Sequence, residues 1–92
     1  MDVEKVIKAL NSKTRRKILK ILSTGPKNVK EISKILTEEY SVNIKYRESV
    51  FKALEKLVEA DLVEKFYKKN KGILYRLKKE KITIDLVNEE VK

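Results

Sequence analysis

Lys45, Ser49, Lys52 and Lys56 follow one another at steps of four, three and four in this 92-residue chain. On a helix turning by about 100° per residue they project together, opposite the apolar series Val50, Leu54 and Leu57. An ammonium group on such a stripe can neutralise a phosphate or reach the acceptor edge of guanine, and a hydroxyl can meet several bases. Tyr46 and Arg47 stand near the start of the same segment. Arginine is the commonest specific reader of guanine, so Arg47 is the best base-reading candidate, although on the helical wheel it falls closer to the apolar side. Glu48, Glu55 and Glu59 would be repelled by phosphate and are expected to lie to one side, paired with nearby lysines. Taken alone, the stripe equally describes a solvated helix face.

A second basic element follows at once. In "LVEKFYKKNKGILYRL" two β-favouring runs flank "KKNKG", where Asn70 and Gly72 can take the positive φ of a hairpin turn. Strands are expected near 62–67 and 73–77. Lys68, Lys69 and Lys71 would then cluster with Asn70 at the tip, and Lys65 and Arg76 would sit on the strands. Lysines also protect ordinary turns from aggregation. A basic hairpin directly after a lysine-striped helix nevertheless favours a wing that reaches a phosphate backbone or the minor groove. Lys27 and Lys30 flank the expected start of an earlier helix, whose free N–H groups favour an anion, and simple capping explains that start as well.

These groups must be held by helices that the apolar periodicity outlines. Val3, Val6, Ile7 and Leu10 give a short helix over 2–10. Ser12 caps a second helix with the stripe Ile18, Leu19, Ile21 and Leu22, ended by Gly25 and Pro26. Asn28 and Glu31 have the spacing of a capping box opening a third helix of about ten residues. Asn43 is positioned to cap the fourth, whose apolar face is Val50, Phe51, Leu54, Leu57 and Val58. In "KKEKITIDLVNEEVK" the "ITI" favours a strand, whereas Ile84, Val87 and Val91 have helical spacing, and a C-terminal helix is the expectation.

Bulk composition restricts the chemistry. The chain carries 23 Lys and Arg against 14 Asp and Glu, a net charge of +9, and a field of that sign attracts polyanions. Residues 78–92 are charge-balanced, so the excess lies ahead of them. The absence of Cys and His removes disulfides, thiol and imidazole catalysis, and zinc fingers. No glycine-rich phosphate loop or closely spaced acidic pair stands out, so the expectation is of a protein that is not an enzyme and has no cofactor. No apolar run approaches membrane-spanning length and the start is unlike a signal peptide, which points to the cytoplasm. One domain over 1–92 is the natural reading.

The segments "NSKTRRKILKIL", "VKEISKIL", "VFKALEKLVEADLVEKFY" and "GILYRL" resemble those of ArsR-like winged helix-turn-helix transcription regulators, above all the short archaeal type. The resemblance spans roughly residues 5–77. It implies a mainly α fold with a small β-hairpin: three to four N-terminal helices, a two-stranded wing and a C-terminal helix. It places Thr14 and Arg15 in a segment that packs near DNA in relatives, where a solvated helix start is an equal alternative. It also implies a homodimer built from terminal elements, 1–10 and 82–92 here, through Val3, Val6, Ile7, Leu10, Leu86, Val87 and Val91, with packing inside the monomer as the alternative. Metal-sensing relatives use Cys and His, which this chain lacks; a carboxylate site at Glu89 and Glu90 has no supporting spacing.

The function expected is that of a dimeric, sequence-specific double-stranded DNA-binding regulator, with its fourth helix in the major groove and its wing on backbone or minor groove. Two rivals stand beside it. One is a winged-helix module that docks on another protein in a transcription or replication assembly, which would expose apolar rather than cationic residues on that face. The other is a non-specific architectural DNA binder, favoured by the excess of Lys over Arg.

Overall fold

The computed structural model covers Met1–Lys92. Four helices come first: α1 (Val3–Leu10), α2 (Lys13–Leu22), α3 (Val29–Tyr40) and α4 (Arg47–Glu59). The hairpin strands β1 (Val63–Lys68) and β2 (Gly72–Leu77) follow, and then a small hairpin of β3 (Ile84–Asp85) and β4 (Glu90–Val91). Four helices ahead of an antiparallel hairpin define a winged helix-turn-helix.

Local chemistry sets the starts of the first three helices. Asp2 caps α1 and Ser12 caps α2, each accepting from a backbone N–H three residues on at 3.2 Å. The capping box at α3 is complete: Asn28 Oδ1 accepts from Glu31 N–H at 2.8 Å and Glu31 Oε1 from Asn28 N–H at 3.1 Å. Gly25, at φ 136°, takes the chain out of α2. The ends of α3 and α4 lack glycine. Ser41 and Asp61 take left-handed φ values of 55° and 63° instead, and carbonyls of each last turn accept from the following residues, Val42 to Leu36 at 2.9 Å and Leu62 to Leu57 at 3.1 Å.

The core gathers Ile18, Ile21 and Leu22 of α2, Ile32 and Leu36 of α3, and Val50, Leu54 and Leu57 of α4, all buried. Removing such side chains from water stabilises the fold by about 1.5–3 kcal/mol each. Val6 and Ala9 of α1 close one side and Val63 and Tyr75 of the wing another. The wing is also tied to the helices through its backbone. Lys27 N–H donates to Tyr75 O at 3.1 Å and Tyr75 N–H to Lys27 O at 2.9 Å, a third, one-residue strand between α2 and α3.

Two expectations are corrected. The fourth helix does not start at Asn43: it begins at Arg47 with Tyr46 as N-cap, because Val42 and Ile44 turn inward against the core and hold the linker non-helical. Residues 82–92 do not form a helix. Asp85 Oδ1 accepts from the N–H groups of Val87 and Asn88 at 3.0 Å each, which closes a turn, and Glu89 takes φ 52°. The β-branched run before that turn pairs with Glu90–Val91, and Thr83 and Lys92 exchange backbone bonds of 2.7 and 2.9 Å. Val91 and Ile82 anchor this hairpin to the core, leaving Leu86 and Val87 exposed at its tip.

Candidate nucleic-acid interface

α4 is held by its inner face, and the opposite side presents Ser49, Lys52 and Lys56 to solvent. Lys45 lies ahead of the helix, so the stripe is continued there by the linker rather than by a further turn. Its charge is partly compensated, since Lys52 Nζ lies 3.4 Å from Glu48 in an exposed i,i+4 pair. Such pairs are weak and exchange readily with phosphate. Lys56 lines a shallow cleft of about 160 Å³ with Lys5, Lys8, Arg15 and Glu59, towards α1. Ser49 Oγ donates to Tyr46 O at 2.8 Å, which ties the N-cap residue to the first turn.

A second concentration of free positive charge lies beside this stripe, between α3 and the start of α4. Lys30 and Lys34 of α3, Lys45 of the linker and Arg47 of α4 line one open cleft of about 430 Å³, with Ile44 in its wall and Glu38 as its one carboxylate. All four cations are exposed, and none is held in an ion pair. Ser33 and Thr37, also in the cleft, donate back to α3 carbonyls at 2.8 and 3.0 Å, so their hydroxyls follow the helix. Lys30, Lys45 and Arg47 stand out separately in the sequence, and Lys34 does not. The i,i+4 spacing of Lys30 and Lys34 on the polar side of α3 was the available signal. Tyr46, 72% exposed, stands beside this cleft with no side-chain hydrogen bond.

On the wing, Lys68, Lys69, Asn70 and Lys71 are all exposed at the tip. Lys71 N–H donates to Lys68 O at 3.0 Å, and Asn70 and Gly72 take φ values of 72° and 78°, as the turn composition suggests. The strand cations behave differently. Lys65 pairs with Glu55 of α4 at 3.2 Å, and Arg76 donates to Glu64 at 2.9 Å while stacking 4.7 Å over Phe66. Both brace the wing. Of the three glutamates expected to pair with lysines, Glu48 and Glu55 do so and neutralise part of the positive face, whereas Glu59 has no ion-pair partner.

Of the other candidates, Lys27 is half-buried and spends its backbone on the bridge to Tyr75. Thr14 is half-buried in the first turn of α2. Arg15 has a defined structural partner: its Nε donates to Ala9 O and an Nη to Lys8 O, both at 2.8 Å, so its guanidinium caps the C-terminal end of α1. Arg16 donates to Leu10 O in the same way. Of the apolar residues considered for a subunit contact, Val6 and Val91 are corrected to core positions, 0% and 5% exposed. Val3 and Leu10 are half-buried against the core, whereas Ile7, Leu86 and Val87 are exposed.

Three ionisable groups near the wing are shifted by identifiable causes. Burial, reinforced by the Glu55 carboxylate, pushes the Tyr75 phenol up. The hydrogen bond between Lys78 and Asp61 lowers the Asp61 carboxyl and raises the Lys78 ammonium. No group of three or more His, Cys, Asp or Glu is placed to hold a metal ion, and no helix is long and apolar enough to cross a membrane.

The class of protein defined by these elements is the winged helix-turn-helix, with α3 and α4 as the helix pair and β1–β2 as the wing. Within that class, residues 12–37 match the family model described as "Bacterial regulatory protein, arsR family". The similarity to that family thus covers α2, the following turn and most of α3. The match stops ahead of α4. No curated protein and no solved structure matches the chain.

Proposed function

We propose that the chain is a sequence-specific double-stranded DNA-binding transcription regulator that acts as a homodimer. The observation that carries the reading is the open cleft at the helix-turn-helix, where Lys30, Lys34, Lys45 and Arg47 converge around a single carboxylate without ion-pair partners. Four uncompensated cations on one side of a small protein repel one another, and a polyanion relieves that repulsion. With α4 in the major groove, Ser49 and Lys52 face base edges and Arg47 reaches past the first turn towards guanine. Lys30 and Lys34 then lie along one phosphate strand, and Lys68, Lys69 and Lys71 on the wing tip meet the flanking backbone. Lys65, Arg76 and Arg15 serve the same face indirectly, by bracing the elements that carry it.

For the dimer, Ile7 of α1 and the Leu86–Val87 tip supply exposed apolar surface at the two ends of the chain. Ile7 shares a groove with Met1, Val3 and Glu89, so α1 and the C-terminal hairpin are neighbours. A two-fold contact there separates two α4 helices for an inverted-repeat site. The cationic character of the cleft argues against the protein-docking alternative, whose surface would be more apolar.

Selection of bound sequences from random duplex DNA tests the reading. A two-fold symmetric motif preferred over random duplex by about 10³-fold or more is the expected result. Equal binding of all duplexes would leave an architectural binder, and no duplex binding at all would remove the proposal.

A further inference from the structure

One exposed apolar feature belongs to neither the cationic cleft nor the chain ends. The two faces of the wing are fixed by its register, because directly opposed residues share a face and alternate along each strand. Val63–Leu77, Lys65–Tyr75 and Tyr67–Ile73 are successive rungs on one face. That face is turned towards α4: Val63 and Tyr75 are core residues, Lys65 reaches Glu55 at 3.2 Å, and the Tyr75 phenol feels the same carboxylate. One rung further out, Tyr67 and Ile73 overhang the edge of the core, 73% and 52% exposed. One turn back along α4 from Glu55 stands Phe51, 44% exposed. Tyr67 and Ile73, directly opposed, form an apolar step on the wing, Phe51 is the exposed large apolar residue of α4, and the tip lysines Lys69 and Lys71 are exposed and unpaired.

A duplex keeps its bases stacked inside and could offer this step only its backbone, which the Tyr67 hydroxyl alone could meet, leaving the apolar area mismatched. A strand with unpaired bases has no such conflict. Its bases turn their faces to the rings while its phosphates meet the lysines, which is how aromatic and cationic side chains combine on single-stranded nucleic acid. We infer that this step is a stacking platform for unpaired nucleobases, with single-stranded DNA as its ligand and the Tyr67 ring as its principal contact. The inference rests on the DNA-binding reading and adds to it a second substrate class.

Binding of a fluorescein-labelled oligothymidylate, followed by anisotropy beside a labelled duplex, separates the two. Tyr67→Ala weakens oligothymidylate binding about five-fold or more, Tyr67→Phe retains it, and duplex binding changes by less than about two-fold for both. The chain has no tryptophan, so Tyr67→Trp installs a single indole whose emission is quenched when oligothymidylate saturates the protein. Undiminished oligothymidylate binding by Tyr67→Ala overturns the inference, as does unchanged indole emission or equal loss of both ligands. A wild-type chain that binds duplex but not oligothymidylate overturns this inference alone; one that binds neither removes the DNA-binding reading as well.

Discussion

Replacing Lys30 and Lys34 with alanine removes two of the four cations of the helix-turn-helix cleft and touches no hydrogen bond or ion pair. Both side chains are exposed on α3, and alanine is the better helix former, so thermal unfolding should be unchanged or slightly improved. Binding should change in a way that salt exposes. Each phosphate neutralised contributes about −0.9 to the slope of log K against log salt, so the double variant should lose about 1.8 from the magnitude of that slope. At about 0.1 M salt this corresponds to roughly 60-fold weaker binding, and the two lines should converge near 1 M. Fluorescence anisotropy with a labelled duplex at four or five salt concentrations measures both quantities. Lys65→Ala is the internal control, since Lys65 is occupied by Glu55 and its loss should leave the slope nearly unchanged. Parallel lines for the wild type and the double variant would refute the placement of phosphate over this cleft.

Other perturbations separate bracing from binding. Arg15→Ala removes two donors from the end of α1 and should destabilise the fold by about 1–3 kcal/mol in urea unfolding while leaving the salt slope intact; a reduced slope would make Arg15 a phosphate ligand. Asn28→Ala breaks the capping box of α3 and should cost about 1 kcal/mol, read from the same transitions. The Tyr75 phenol is held above its ordinary pKa, so its contribution is fully present below about pH 10, where the unfolded chain keeps its proton, and is lost as pH rises through the folded value. Tyr75→Phe should therefore flatten the alkaline fall of the melting temperature, and an identical fall in both proteins would contradict that assignment.

How far the molecule was legible in its sequence depended on whether the determinants were local. The helices announced themselves through apolar spacing and through Ser12, Asn28 with Glu31, and Gly25, whose effects reach only three or four residues. The wing turn was equally local, set by Asn70 and Gly72. The start of α4 was not, because Asn43 has the right chemistry for a cap while burial of Val42 and Ile44 decides the linker's path. The C-terminal segment fits both periods, and the Asp85 turn together with the anchoring of Ile82 and Val91 selects the hairpin. Among the site residues, cationic type was readable but occupancy was not. Lys65 and Arg76 read like Lys69 and Lys71 along the chain, yet Glu55 and Glu64 engage the first pair and nothing engages the second. The cleft itself is assembled from α3, the linker and α4, so its strength emerges only when Lys34 is folded against Lys45 and Arg47.

Amide chemical-shift mapping on titration with a selected duplex tests the central claim most directly. The account predicts the largest shifts at residues 30–34, 45–52 and 68–71, with α1 and the 84–91 hairpin unaffected beyond dimer effects. Shifts concentrated on those terminal elements, with the helix-turn-helix cleft and wing tip silent, would contradict it.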